Sequence, residues 1–281
     1  MPPSAPRPLV SVVLPTYNRR RWLREAVMSV QAQTWEEWEL IVVDDGSTDD
    51  SVAAIPADSR VRVVSRSHSG NVALVRNAGL ALANGAYIGF LDSDDRWPPG
   101  KLTVQVARLE ERSECGWCHG PFRMIDEASG PAPFRMGAPW QVRDGNMLRE
   151  ILTTEASIAL SAILVRRTLM LSLSFDEAIP FGDDYDLLIR LARRSAACAV
   201  EQVVAEMRDH DGRGSRSRYD HFLGIARAYR KCARELEDIE LRRLCRQRAR
   251  GLLRIFLANG RAAGALTSDL RQAARMWYDT R

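Results

Sequence analysis

The sequence predicts an α/β fold, a mainly parallel sheet flanked by helices, with a helical appendage at the C-terminus. Three observations carry this. Short apolar runs recur at 10–14 (VSVVL), 39–43 (ELIVV), 61–65 (VRVVS) and 86–91 (AYIGFL). The stretches 20–33 and 71–83 between them have helical periodicity. The last quarter of the chain is arginine-rich, with apolar residues such as Phe222, Ile225, Ala226 and Tyr229 at helical spacing. Apolar runs without alternation suit strands buried on both faces, and their alternation with helices makes a doubly wound sheet.

Taken in order, residues 1–9 are proline-rich and read as a disordered lead-in. Strand 10–14 runs into Pro15-Thr16-Tyr17-Asn18, a loop with a turn-forming Asn. In helix 20–33, Trp22, Leu23, Ala26, Val27 and Val30 share one face. Strand 39–43 enters the acidic turn Asp44-Asp45-Gly46-Ser47-Thr48-Asp49. Strand 61–65 and helix 71–83, closed by Asn84-Gly85, lead to strand 86–91. That strand ends in Asp92, Ser93, Asp94 and Asp95, and Trp97-Pro98-Pro99 opens a helix over 101–109. Further strands are expected at 115–122, 157–165 and 197–207, with loops at 127–141 and 209–218. Phe181-Gly182-Asp183-Asp184 opens an amphipathic helix over 185–194, with Leu187, Leu188 and Leu191 inward. Helices over 219–236, 239–258 and 266–278 complete the chain, giving a main domain at 10–215 and a helical region at 216–281.

With 281 residues, 46% hydrophobic and 27% charged, the chain suits one large globular domain with a smaller appendage. No run of 18 apolar residues occurs, which excludes a membrane-spanning helix. The N-terminus has no apolar signal segment and the five cysteines are odd in number, so reduced thiols and a cytoplasmic location are expected. The net charge of +4 is unevenly spread: 208–281 carries 18 basic and 9 acidic residues, leaving the remainder acidic by five charges.

Three carboxylates at the end of a buried strand repel one another and resist desolvation. A divalent cation with oxygen ligands would offset that cost. This end of the strands is also where ligands sit in open α/β sheets. A polar turn capping the next helix would need only one of the acids.

The ordered segments VSVVLPTYNR, VVDDGSTDDS, RNAGLALANGAYIGFLDSDD and FGDDYDLLIRLA resemble family 2 glycosyltransferases of the GT-A fold. The resemblance implies inverting transfer of a sugar from a nucleotide-sugar donor to a hydroxyl acceptor, with a divalent metal, Mn²⁺ or Mg²⁺. Position by position, it implies that Pro15, Tyr17 and Asn18 belong to the loop at the donor base and that Asp45 hydrogen-bonds the base. It places Asp92 at the ribose or a metal-bound water, and Ser93 and Arg76 in the donor site. Asp94 and His210 are implied as metal ligands and Asp184 as the catalytic base. The chain departs from many relatives at Ser69-Gly70-Asn71, where a glycine pair or a basic residue is usual, and at Asp183, where glutamate is usual.

The chemistry is coherent with these residue types. A cation at Asp94 would stabilise charge building on the leaving diphosphate. A carboxylate at Asp184 would accept the proton of the attacking hydroxyl. Two other classes are weighed. A nucleotidyltransferase making sugar nucleotides would want a glycine-rich basic loop after the first strand, which Pro15-Thr16-Tyr17-Asn18 is not. A basic module binding nucleic acid or an anionic membrane through the C-terminal helices would leave the acidic crevice unexplained. Cys115-Gly116-Trp117-Cys118-His119 matches a haem-attachment pattern but lies in a strand-like run, where alternation sends Cys115, Trp117 and His119 to one face and Cys118 to the other. Expected partners are therefore the nucleotide sugar and a glycan, lipid-linked or small-molecule acceptor. No nucleic acid is expected, and the C-terminal arginines allow peripheral contact with the inner face of a membrane.

Overall fold

A computed structural model describes residues 8–133, 142–211, 220–259 and 267–278. The lead-in expected at 1–9 lies outside these residues apart from Pro8 and Leu9, as do parts of the loops at 127–141 and 209–218.

Strand β1 (Val10–Thr16) is buried throughout and lies at the middle of the parallel part of the sheet. It pairs in parallel with β2 (Trp38–Asp44) on one side and, through Val10↔Tyr87 to Val13↔Phe90, with β4 (Tyr87–Phe90) on the other. β3 (Val61–Ser65) extends the parallel set beyond β2. On the far side of β4 the sheet turns mixed. β7 (Ile163–Arg166) runs antiparallel to β4, β5 (Cys115–His119) antiparallel to β7, and β8 (Ala196–Ala199) parallel to β5. The order is β3-β2-β1-β4-β7-β5-β8, so the strand order reverses at β1 and the C-terminal ends of β1, β2 and β4 open on one crevice. β6 (Phe122–Ile125) and β9 (Ala205–Arg208) form a separate parallel pair.

The pleat explains the two cores. Val12, Leu14, Leu40 and Val42 face α1 (Leu23–Gln31) and α3 (Lys101–Glu111), while Val13, Ile41, Val43 and Phe90 face the layer that holds α2 (Val72–Leu80) and α6 (Asp183–Arg194). That second layer also takes in α4 (Leu148–Thr153), α7 (Asp220–Glu235), α8 (Ile239–Asn259) and α9 (Thr267–Tyr278). Leu223, Tyr229, Cys245, Leu253, Phe256 and Met276 belong to the same apolar cluster as Leu187 and Phe175, so the C-terminal helices share the core of the main sheet.

Several expected elements change. The run 157–165 is not one strand: residues Leu160–Ala162 form a 3₁₀ turn and only Ile163–Arg166 is strand. The turn lets Ser161 donate its hydroxyl to Asp95 (2.9 Å) and accept the Trp97 indole N–H at its carbonyl (2.8 Å), polar contacts that outweigh strand propensity. The run 197–207 breaks at exposed Glu201 and Gln202 into β8 and β9, which belong to different sheets. Likewise 115–122 divides at Gly120-Pro121 into β5 and β6, and Pro121 has no N–H for a ladder. Strict alternation also fails in β5: a register shift between Cys115 and Trp117 puts Cys115 and Cys118 in one core and Trp117 in the other. All five cysteines are buried free thiols. A short helix α5 (Arg167–Met170) and α4 carry no sequence signal long enough to read.

Candidate active site

The acids at the end of β4 do not face each other as a repelling cluster; each has its own partner. Asp95 is buried, accepting from Ser161 Oγ at 2.9 Å and from the Arg208 backbone N–H at 3.1 Å. The Asp92 carboxylate takes an N–H of Arg76 at 2.7 Å. Asp94 meets His210 Nε2 at 2.9 Å, with Arg19 Nε 3.8 Å away. The expected mutual repulsion is thus relieved locally by cations and hydrogen bonds.

Arg76 is the tie across the crevice. It projects from α2, is 5% exposed, and donates to Asp183 Oδ2 at 2.6 Å as well as to Asp92. One guanidinium therefore joins the end of β4 to the start of α6, which are remote in sequence. Burial and the neighbouring Asp184 and Asp92 carboxylates push Asp183 up to about 6, against the pull of Arg76, and against its own burial Arg76 is pushed further up by Asp183 first, then Asp92 and Asp184. Asp184, next along, is half-buried and accepts the neighbouring Tyr185 N–H at 2.8 Å. The acidic pair is thus divided: Asp183 is buried against Arg76, and Asp184 is the more exposed of the two.

At the other corner, the loops after β1 and β2 interlock. Asn18 has φ of 49°, a conformation Asn tolerates, and its Oδ1 accepts the Thr48 N–H at 2.8 Å. Asp44 accepts Ser47 Oγ at 2.5 Å, and Asp45 accepts Ser69 Oγ at 2.8 Å and the Gly70 N–H at 3.0 Å. Asp45 thereby fastens the Ser69-Gly70 loop to the end of β2. Tyr17 stands at the mouth, 39% exposed, and its ring stacks on His68 with centroids 4.0 Å apart. Pro15 and Ser93 are buried beneath. Of the expected site residues, Tyr17 is exposed and Asn18, Asp92 and Asp184 are half-buried, whereas Arg76, Asp45, Pro15 and Ser93 are buried.

The donor set at Asp94 and His210 fits a hard divalent cation. Their facing atoms are 2.9 Å apart, close to the ~3 Å edge of an octahedron with ~2.1 Å bonds. The imidazole is buried against Trp22, ring centroids 4.2 Å apart, and its buried Nδ1 has no hydrogen-bond partner among the described residues. Among the described residues no group of three or more His, Cys, Asp or Glu side chains converges, so further ligands would come from water and phosphate oxygens.

Sequence reasoning passed over the residues behind these groups. Arg208 is fully buried and donates to the Asp94 carbonyl (3.1 Å), the Asp126 carbonyl (3.1 Å) and Glu25 (2.7 Å), binding the β6–β9 pair to the acidic loop. Its only signal is an arginine in a polar stretch. Arg19, Trp22, His68 and Ser161 enter the site by tertiary contact alone.

Comparison with known proteins bears on this geometry. The model of glycosyl transferase family 2 matches residues 11–161. An uncharacterized glycosyltransferase of Rickettsia felis is 32% identical over 206 residues, covering 72% of this chain and 33% of that protein. A putative teichuronic acid biosynthesis glycosyltransferase, TuaG of Bacillus subtilis, is 36% identical over 47% of this chain and 54% of its own length. WfgD of Escherichia coli, a UDP-Glc:alpha-D-GlcNAc-diphosphoundecaprenol beta-1,3-glucosyltransferase, is 29% identical over 68% of this chain and 73% of its own. The chain thus spans only about a third to a half of the first two relatives. The fold matches S. aureus TarS 1-349, solved with UDP-GlcNAc, with a TM-score of 0.69 at 18% identity over 97% of this chain and 79% of that one.

Proposed function

The chain belongs to glycosyl transferase family 2, and from that premise we propose that it is an inverting glycosyltransferase acting on a nucleoside-diphosphate sugar. The observation that carries the reading is the division of the acidic pair: Arg76 bonds Asp183 and Asp92, and the neighbouring Asp184 is the more exposed carboxylate, which supports it as the base. Asp184 takes the proton of an acceptor hydroxyl, and the oxygen attacks the anomeric carbon from the face opposite the diphosphate. The bond to the diphosphate breaks, and the nucleoside diphosphate leaves with the electron pair. Tyr17 offers a ring for the base, beside His68. Asp94 and His210 would hold a Mn²⁺ or Mg²⁺ ion, which supplies positive charge to the leaving diphosphate. Arg19, on the same side of Asp94, adds a fixed cation near that charge.

A uridine donor is supported by the UDP-Glc in the WfgD name and the UDP-GlcNAc in the TarS complex. The acceptor is a glycan or a lipid-linked saccharide, by analogy with the same relatives. A peripheral site of action at an anionic membrane face is supported by the exposed Arg243, Arg246 and Arg254 beside Ile255 on α8, and by Arg271 and Arg275 on α9. No helix among the described residues is long and apolar enough to cross a membrane.

The test is Asp184→Asn. Hydrolysis of UDP-glucose or UDP-GlcNAc should fall at least a hundredfold, within the range of general-base losses, while affinity for UDP with Mn²⁺ stays within about threefold. Hydrolysis near the wild-type rate would move the base elsewhere. A large loss of UDP affinity would place Asp184 on the donor.

A further inference from the structure

The turn that presents Asp184 is clamped from behind by the C-terminal region. Gly182 caps α6 with φ of 81°, a left-handed conformation that suits glycine. Across from it lies Gly224 of α7. A Cβ on Gly224 would stand 1.5 Å from the Phe181 carbonyl oxygen, and a Cβ on Gly182 would stand 3.1 Å from the Ile225 backbone nitrogen. Two backbones therefore touch at a pair of glycines, two residues before Asp184. The contact continues down both helices. Tyr185 and Tyr229 share a hydroxyl hydrogen bond of 2.7 Å, their hydroxyls also reaching the Ile151 and Leu152 carbonyls. Lys231 meets Asp186 at 3.2 Å, and Arg193 binds Glu235.

We infer that Gly224 is a positioning residue for the catalytic carboxylate: the C-terminal helix α7 sets the height of the Phe181–Gly182 turn and so the placement of Asp184 over the crevice. This rests on the assignment of Asp184 as base. A methyl group at Gly224 cannot be absorbed by a side-chain movement, because the atom it meets is backbone. Either α7 or the turn must shift, and an error of about 1 Å in a catalytic group costs on the order of a hundredfold in rate. The donor corner at Tyr17 and the Asp94–His210 pair lie on other elements and need not move.

The experiment compares Gly224→Ala with Gly251→Ala. Gly251 is in α8 and has no atom within 4 Å of a built Cβ, so the same chemical change there meets open space. The substrates are UDP-glucose and UDP-GlcNAc, using whichever the wild type hydrolyses faster, and UDP with Mn²⁺ probes binding. Gly224→Ala should lower kcat at least tenfold with donor KM and UDP affinity within about threefold of wild type, and Gly251→Ala should change none of these. Gly224→Ala with more than half of wild-type kcat overturns the inference, as does a loss of UDP affinity parallel to the loss of kcat. If Gly224→Ala does not fold, Tyr229→Phe decides, since it removes only the hydroxyl that joins α7 to Tyr185 and to the Leu152 carbonyl. A kcat reduced two- to fivefold at unchanged KM supports the clamp, and an unchanged kcat overturns it. Asp184→Asn run alongside separates the two readings: if it is active the base assignment fails, and if it is inactive while Gly224→Ala is active only the positioning role fails.

Discussion

Replacing Arg76 by Met is the sharpest perturbation of the site. It removes the guanidinium that bonds Asp183 at 2.6 Å and Asp92 at 2.7 Å and puts a chain of similar volume in its place. Asp92 is partly exposed and can be rehydrated, but Asp183 is 2% exposed and cannot. Breaking one side of a buried pair typically costs about 3–5 kcal/mol. The loss should depend on pH. In the wild type, Asp183 is raised from 3.8 to about 6. The folded state therefore holds the proton more tightly than the unfolded state, and stability from this group, worth about 3 kcal/mol, is present below pH 4 and lost as pH rises to 6. Without Arg76 the folded-state value rises further, so the variant goes on losing stability above pH 6, at up to about 1.4 kcal/mol per pH unit, where the wild type no longer does. Near pH 5.5 both proteins are largely protonated at Asp183 and the deficit is smallest. Thermal unfolding at pH 5.5 and pH 8.0 is the assay. The Tm deficit should be larger at pH 8.0 by at least ~4 °C, from ~2 kcal/mol at a minimum of ~2 °C each for a protein of this size. Equal deficits at the two pH values, or a deficit below ~1 kcal/mol at pH 8.0, would refute the view that Arg76 exists to neutralise Asp183.

Three further outcomes are expected. Asp94→Asn should lower UDP affinity in the presence of Mn²⁺ by at least tenfold, about 1.4 kcal/mol, and leave metal-free affinity unchanged in calorimetry; a change below threefold would remove Asp94 from the metal. Lys101 is buried, with its ammonium on Gln105 Oε1 (2.5 Å) and over the Trp97 ring (4.5 Å), and burial pushes it down to about 7. Between pH 7 and 10.5 the unfolded state binds the proton first, so wild-type stability should rise with pH across that window through this group, and Lys101→Met should flatten the rise in denaturant melts; parallel curves would contradict it. In sedimentation with vesicles, the protein should pellet with anionic but not neutral lipid at low salt and be released as salt rises, and equal behaviour with both lipids would discard membrane contact.

How much of this was legible in the sequence follows from what each signal depends on. β1, β2 and β4 were readable because a strand buried on both faces must be apolar along its length, and nothing else explains VSVVL or ELIVV in so charged a chain. The late helices were readable for the same reason at a period of 3.6. β8 and β9 were not, because 197–207 is apolar enough for one strand and only the second sheet reveals that it serves two. The bulge that turns Cys115 to the face of Cys118 depends on how β5 fits β8, and no local residue pattern records it.

The site shows the same division more instructively. The acids at 92, 94 and 184, with Arg76 and His210, could be picked out by resemblance, but which acid each basic group meets could not, and Arg208 was missed altogether, since these contacts are made only through the fold. The consequence is a change in the role of charge. Acids expected to repel one another are instead each held by a protein partner, Asp92 by Arg76, Asp94 by His210 and Arg19, and Asp95 by Ser161. These pairings fix the acids of the crevice relative to one another from within the protein. The same pairings make the start of α6 sensitive to distance. Arg76 pulls Asp183 toward β4 while α7 holds the turn from behind at Gly224, and Asp184 is set by the balance of two contacts made by opposite ends of the chain.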